Sequence, residues 1–269
     1  DAEGGPVATV GSLLLRPIHR EQLSARQQSP SYELAWKVQA RPTPTGEQTA
    51  AGVQGKLIVV DPGHNGRNAD HPERINKQVS VGNGRKACDT TGTTTADGYR
   101  EHAFTWDLAN RLAKVLRDEG AEVRFTRESD DGVGPCITER AATGGRVGAD
   151  AAVSLHGDGG PASGRGFHVI VPVAVGENAG IVDDSVRLGR AIRDAYRSGT
   201  GMPYSTYIGE NGLDRRDDLG GLNLAKVPTA FIETGNMNNP ADAAKMASAS
   251  FRQRMADSIA RGFEIYFGQ

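Results

Sequence analysis

The run Leu57-Ile58-Val59-Val60-Asp61-Pro62-Gly63-His64 is a short apolar block closed by a turn and an imidazole. Continuous aliphatic character over so few residues, bounded by Asp-Pro-Gly, predicts a buried strand ending in a turn. The pattern recurs. Ala151 to Leu155 is followed by His156, and Thr229 to Ile232 is followed by Glu233. Glu122 to Thr126 and Gly166 to Val171 read as further strands. Between them apolar residues recur at helical spacing: Phe104, Leu108, Leu112, Val115 and Leu116, stopping at Gly120; then Ile137 to Val147; then Val182, Val186, Leu188, Ile192 and Tyr196, ending at Gly199. Met255, Ile259, Phe263 and Tyr266 supply a closing helix. Such alternation predicts an α/β fold, with a largely parallel sheet covered by helices on both faces. The stretch from Asn65 to Gly98 reads as one long polar loop.

The 269 residues suffice for one substantial core and an appendage. Residues 1–55 differ in composition, with Pro6, Pro17, Pro30, Pro42 and Pro44 and a polar tract from Thr43 to Thr49. They read as an amino-terminal extension and linker ahead of a core domain at 56–269. Within the extension Tyr32, Leu34, Trp36 and Val38 alternate with polar or small residues, which predicts one packed strand. A net charge of −2 argues against a nucleic-acid groove or a polybasic membrane patch. No apolar run approaches the roughly 20 residues of a membrane-spanning helix. The chain opens at Asp1 without Met, and removal of an export signal is the expectation. Its two cysteines, Cys88 and Cys136, are either separate buried thiols or one disulfide, the latter favoured in an exported protein.

Ligand sites in open α/β sheets lie beyond the carboxyl ends of the strands. There this chain places His64, His156 and Glu233, and Glu101 opens a helix near Arg100, where its charge also suits the helix dipole. Each alone has an ordinary explanation: a hydrogen-bonded histidine, a helix N-terminal charge, a salt-bridge partner. Several such groups at strand ends point instead to a metal. A catalytic zinc takes three His or carboxylate ligands and leaves a position for water. A further carboxylate then serves as proton acceptor and donor. His19, His71 and His168 lack this placement, and His168 sits inside a strand facing a partner or solvent. His102, beside Glu101, is the one rival ligand.

At these residues the sequence resembles the zinc-dependent N-acetylmuramoyl-L-alanine amidases of the Amidase_3 type, from about Lys56 to Phe267. Ile58-Val59-Val60-Asp61-Pro62-Gly63-His64-Asn65-Gly66 resembles the family's opening strand and first zinc histidine. Glu101 matches its zinc glutamate, and Phe125-Thr126-Arg127 its threonine–arginine strand end. Arg140 and then Val153-Ser154-Leu155-His156 are similar to the segment with the second zinc histidine. Pro228 to Asn239, containing Phe231-Ile232-Glu233-Thr234-Gly235, resembles the stretch bearing the catalytic glutamate. The likeness is greatest to mycobacterial and related actinobacterial members, which lack a wall-binding domain and carry a disulfide, as Cys88 and Cys136 would. Gly157-Asp158 and Asn236 depart from the residues many relatives carry.

The resemblance implies a twisted, mostly parallel mixed sheet of about six strands with helices on both faces, and one zinc ion on His64, Glu101 and His156, with Glu233 as general base and then general acid. The reaction implied is hydrolysis of the amide between the lactyl group of N-acetylmuramic acid and L-alanine, in peptidoglycan or its muropeptide fragments. It also implies a monomer exported to the periplasm or cell wall. A non-catalytic peptidoglycan-binding module would not need the fourth carboxylate. A zinc carboxypeptidase acting within the stem peptide would release a terminal amino acid instead. The extension could cover the cleft, although a packed strand or tether is the simpler expectation.

Overall fold

The computed structural model describes residues 13–17, 32–36 and 52–269. The chain divides into two units, Asp1–Gln48 and Thr49–Gln269. In the first, β1 (Leu13–Pro17) and β2 (Tyr32–Trp36) pair antiparallel, Leu13 opposite Trp36 and Pro17 opposite Tyr32. β2 lies on the alternating stretch around Trp36. The rest of the extension, with His19 and its expected role as tether or cleft cover, lies outside the described residues.

The second unit is built on a six-stranded sheet in the order β6-β3-β7-β10-β8-β9. These are β3 (Leu57–Pro62), β6 (Glu122–Phe125), β7 (Ala151–Asp158), β8 (His168–Pro172), β9 (Leu213–Arg216) and β10 (Thr229–Asn236). β6, β3, β7 and β10 run parallel, whereas β8 is antiparallel to β10 and carries β9 parallel to itself. The sheet is thus mixed and mostly parallel, as expected.

The apolar runs conceal an alternation that fixes where chemistry is possible. Ile58, Val60, Val153, Leu155, Val169, Val171, Ala230 and Ile232 belong to one continuous core. Against that face pack α2 (Glu101–Asp118) and α4 (Val182–Thr200), and α7 (Ala249–Phe267) packs on both of these helices. In α2 the stripe Phe104, Leu108, Leu112 and Leu116 is fully buried, and each such side chain stabilises the unit by roughly 1.5–3 kcal/mol. The opposite face is covered more thinly, by α3 (Ile137–Val147) and the short α5 (Gly220–Asn223). Its strand residues start apolar, with Val59 and Ala152, and turn polar toward the carboxyl ends, with Asp61, Ser154 and His156.

Two expectations need correction. The stretch Asn65–Gly98 is not one loop: it holds α1 (Pro72–Ile75) and a hairpin of β4 (Gln78–Ser80) and β5 (Arg85–Ala87). Strands this short and polar leave no periodic signal to read. In addition, β7 and β10 continue past Leu155 and Ile232, so His156 and Glu233 stand inside the final turns of the sheet rather than after it. A further helix, α6 (Pro240–Ala247), is capped by the Asn239 side chain, which accepts from the backbone N–H groups of Ala241 and Asp242.

Candidate metal centre

His64, Glu101 and His156 converge, each offering a ligand atom within 4.8 Å of the others. Glu101 sits between the two rings. Its Oε1 lies 3.1 Å from His64 Nε2 and 2.9 Å from His156 Nδ1. The carboxylate is held from behind by backbone donors, Gly157 N at 3.1 Å on Oε1 and Thr93 N at 2.8 Å on Oε2. Three elements bring these groups together: the turn after β3, the first residue of α2, and β7. His156 is further fixed by Phe231 of β10, whose ring stacks on it at 4.1 Å between centroids.

His64 is the strained member. Its φ of 61° is in the left-handed region, which non-glycine residues seldom occupy. The surrounding carbonyl groups are held in place by side chains. Arg127 Nε and Arg140 Nη1 donate to the Pro62 oxygen at 3.0 and 2.8 Å, Thr105 Oγ1 to the Gly63 oxygen at 2.8 Å, and Arg140 Nη2 to the His64 oxygen at 2.8 Å. The buried Arg140 is in turn paired with Asp61 at 2.8 Å and Asp89 at 3.2 Å. Burial alone would raise Asp61, but Arg140 and hydrogen bonds from Ser154 and Thr126 outweigh it and hold the carboxyl at about 2. His64 Nδ1 lies 3.1 Å from the Thr90 carbonyl oxygen, an acceptor, so Nδ1 carries a proton and Nε2 is the ring nitrogen turned toward Glu101.

The electrostatics of the bare cluster show how strongly these groups interact. Burial disfavours a charged His64, yet Glu101 and Asp89 overcome it and raise the ring to about 10. Glu101 is buried too, but His64 and His156 pull it far below the usual carboxylate range. His156 goes the other way, its burial outweighing the pull of Glu101.

Glu233, in β10, pairs in register with His156 of β7, but it is not part of the ligand cluster. Its Oε2 is shielded and has no hydrogen-bond partner. Burial first, then the negative charges of Glu101 and Asp158, push this carboxyl well above its ordinary range. A carboxyl so poised beside a metal-ligand set is the pattern of a proton-transferring group. The rival ligand His102 is turned elsewhere, its Nδ1 bonded to both Asp130 oxygens at 2.9 and 3.0 Å. His71 is engaged with the exposed Glu73, and His168 is buried in β8. Cys88 and Cys136 are joined as a disulfide, Cα atoms 4.5 Å apart. Sequence reasoning missed Asp89 and Thr90 as partners of His64, because a loop contact spanning 26 residues carries no pattern.

A cavity of about 550 Å³ opens on the cluster and runs beneath α3 and α5 along the thinly covered face, with His64, Glu101, His156, Phe231 and Glu233 in its wall. A concave site with convergent polar groups and perturbed carboxyls suits a small-molecule or polymer-end substrate.

Comparison with known proteins agrees with this geometry. The Amidase_3 family, described as N-acetylmuramoyl-L-alanine amidase, matches residues 58–264. The N-acetylmuramoyl-L-alanine amidase Rv3717 of Mycobacterium tuberculosis is 45% identical over 215 residues, covering 80% of this chain and 87% of that protein. The crystal structure of the amidase Ami1 from Mycobacterium smegmatis is 42% identical with a TM-score of 0.76, covering 80% of this chain and 98% of that one. Ami1 from Mycobacterium abscessus, in its apo form, gives 41% and 0.75, covering 80% and 99%. These relatives are mycobacterial, as the motifs implied. Matched over most of its length in both sequence and fold, the chain belongs to the Amidase_3 family and is an N-acetylmuramoyl-L-alanine amidase, an enzyme that hydrolyses peptidoglycan.

Proposed function

We propose that this amidase works with one zinc ion held by His64, Glu101 and His156, and that Glu233 moves the proton. The observation that carries the reading is the close His–Glu–His set with an unpartnered carboxyl one strand position away. The donor chemistry fits zinc. Two imidazoles and a carboxylate are the ligand types and number of a catalytic zinc site, which keeps a position open. When bound, zinc supplies Lewis acidity and lowers the pKa of a water to about 7.

The chain's own residues account for the rest. Glu233 accepts a proton from the water that attacks the lactyl carbonyl carbon. As the C–N bond breaks, Glu233 returns that proton to the alanine nitrogen, leaving a lactyl carboxylate and a free stem peptide. The thin cover over the site face admits a peptide-bearing sugar. Phe231 and the hydrogen bonds to Glu101 keep the ligands from drifting as substrate enters. All the proposed site residues come from one chain, so a monomer suffices. Residues 56–269 form the catalytic domain, and the enzyme acts after export, in the periplasm or cell wall.

Glu233→Ala is expected to retain zinc and fold while losing about 10²–10⁴-fold in turnover on a defined muropeptide. His64→Ala is expected to lose zinc. Elemental analysis and mass spectrometry of the products check both. Turnover of the Glu233 variant within a few-fold of the parent, or full zinc in the His64 variant, would defeat the assignment.

A further inference from the structure

Three ionisable side chains form a row across the sheet near the carboxyl end of β10. Glu233 pairs with His156 of β7 on one side and with His168 of β8 on the other. Residues opposed in this way project from the same face of a sheet, with Cβ atoms roughly 4.5–5.5 Å apart. His156 belongs to the metal cluster and Glu233 to proton transfer, but nothing so far uses His168. It is only 2% exposed, in the middle of the sheet, where an apolar residue would pack without cost to hydrogen bonding.

Two buried polar atoms in this row lack a partner: Nδ1 of His168 and Oε2 of Glu233. They are complementary, since a neutral imidazole carries one N–H and a carboxylate only accepts. Among the described residues no protein group bonds either atom. The charged and titratable groups facing His168 are Asp158 of β7, Asp214 and Arg216 of β9, Tyr207 and Glu233. Tyr207 Oη already donates to Asp158 Oδ2 at 2.7 Å, and Arg216 is engaged by Asp218 at 2.7 and 2.8 Å. Burial lowers the His168 pKa despite the nearby carboxylates, so the ring is neutral near pH 7.

We propose that His168 is a positioning residue for Glu233: its Nδ1–H donates, through one bridging water, to Glu233 Oε2 and fixes the carboxylate beside His156. The proton of His168 does not leave the ring. Its effect is to orient Glu233 and to favour the ionised form that receives the proton of the attacking water. The inference rests on Glu233 being the general base.

The test uses the zinc-loaded full chain with His168→Phe, His168→Asn and Glu233→Ala. His168→Phe is expected to lower kcat about 10–100-fold, in line with other orienting partners of site residues. KM should stay within about twofold and zinc content unchanged, and the acidic limb of the pH–kcat profile should move upward. His168→Asn, whose side-chain N–H falls near the position of Nδ1, should restore most of kcat and the limb. In ¹⁵N NMR of the parent protein, His168 should be protonated on Nδ1. Parent-like kcat and limb in His168→Phe would overturn the proposal. So would an Asn variant as impaired as the Phe variant, or a ring protonated on Nε2 alone. If Glu233→Ala keeps its turnover, the general-base reading has failed. If Glu233→Ala is inactive while His168→Phe is normal, only the role of His168 has.

Discussion

Gly63 shows how little room the metal cluster leaves. A Cβ there would lie 2.2–2.6 Å from three atoms of the His156 ring, closer than any real contact. The imidazole would have to move, because Arg127, Arg140 and Thr105 pin the backbone of the turn. Gly63→Ala is therefore expected to displace His156, reduce zinc occupancy and cut activity at least about tenfold. Overpacking of this kind typically costs about 1–3 kcal/mol, so the protein should still fold. Zinc analysis beside thermal unfolding checks it: full occupancy with normal turnover would show that the turn yields. Gly92 obeys the same logic from the other side, its φ of 74° and absent Cβ letting the chain pass Glu101 Oε2 and His64 Cδ2. At this scale the sequence was partly legible. His64, His156 and Glu233 stood out because a polar group directly after an apolar block is conspicuous. Which glutamate would hold a metal was not legible from spacing and came from the family resemblance. Asp89, Thr90 and Phe231 were missed as partners, since each acts through a contact between elements.

Among the elements, the loop from Cys88 to Thr90 joins the disulfide to His64, a proposed metal ligand. Cys88 is bonded to Cys136 at the start of α3, and the next two residues, Asp89 and Thr90, contact His64 Nδ1. The Cys88 backbone is also tied in, its N–H donating to Lys77 O and its carbonyl accepting from Ile137 N, both at 2.8 Å. Closing a loop of 48 residues stabilises a fold by about 4 kcal/mol on the chain-entropy model. Replacing both cysteines by alanine should lower the unfolding midpoint by a corresponding margin. It should also weaken zinc retention about tenfold, because the Thr90 carbonyl that orients His64 loses its anchor. Competition with a chelator measures the second effect separately from the first. Unchanged retention would mean that Arg140 and Asp89 hold the loop unaided. Helices and long strands were readable from periodicity because burial of one stripe or one run forces it. The β4–β5 hairpin and β9 were not, since Gln78-Val79-Ser80 and Leu213-Asp214-Arg215-Arg216 pair at edges where burial asks little of their side chains. The antiparallel entry of β8 was likewise hidden, because a buried central strand looks the same in either direction.

For the molecule as a whole, the ligand cluster makes stability depend on pH and zinc in opposite senses. In protein stripped of divalent ions, His64 is raised from 6.5 to about 10 by its carboxylate neighbours. Its contribution is complete below the unfolded value near 6.5 and is lost as pH climbs toward 10. Glu101 is lowered by the same contacts, so its contribution is present above about 4.5 and lost in acid. The two shifts describe one ion pair and are counted once, giving a stability maximum between those limits. Glu119 adds a loss of the same sign, its carboxyl raised to about 7 by burial and then by Glu264 and Asp257. Zinc bound as proposed would reverse the trend at His64, because it must displace the proton that Glu101 holds on Nε2. Its apparent affinity should rise up to tenfold per pH unit, about 1.4 kcal/mol of added stabilisation at fixed free zinc. Unfolding followed at pH 6 and pH 8, with chelator and with buffered zinc, should therefore show two lines that diverge. The stripped protein is weaker at pH 8, whereas the increment from zinc is larger there. An increment independent of pH would mean that His64 holds no proton for the metal to displace, and with it that Glu101 and His64 do not meet as the fold places them.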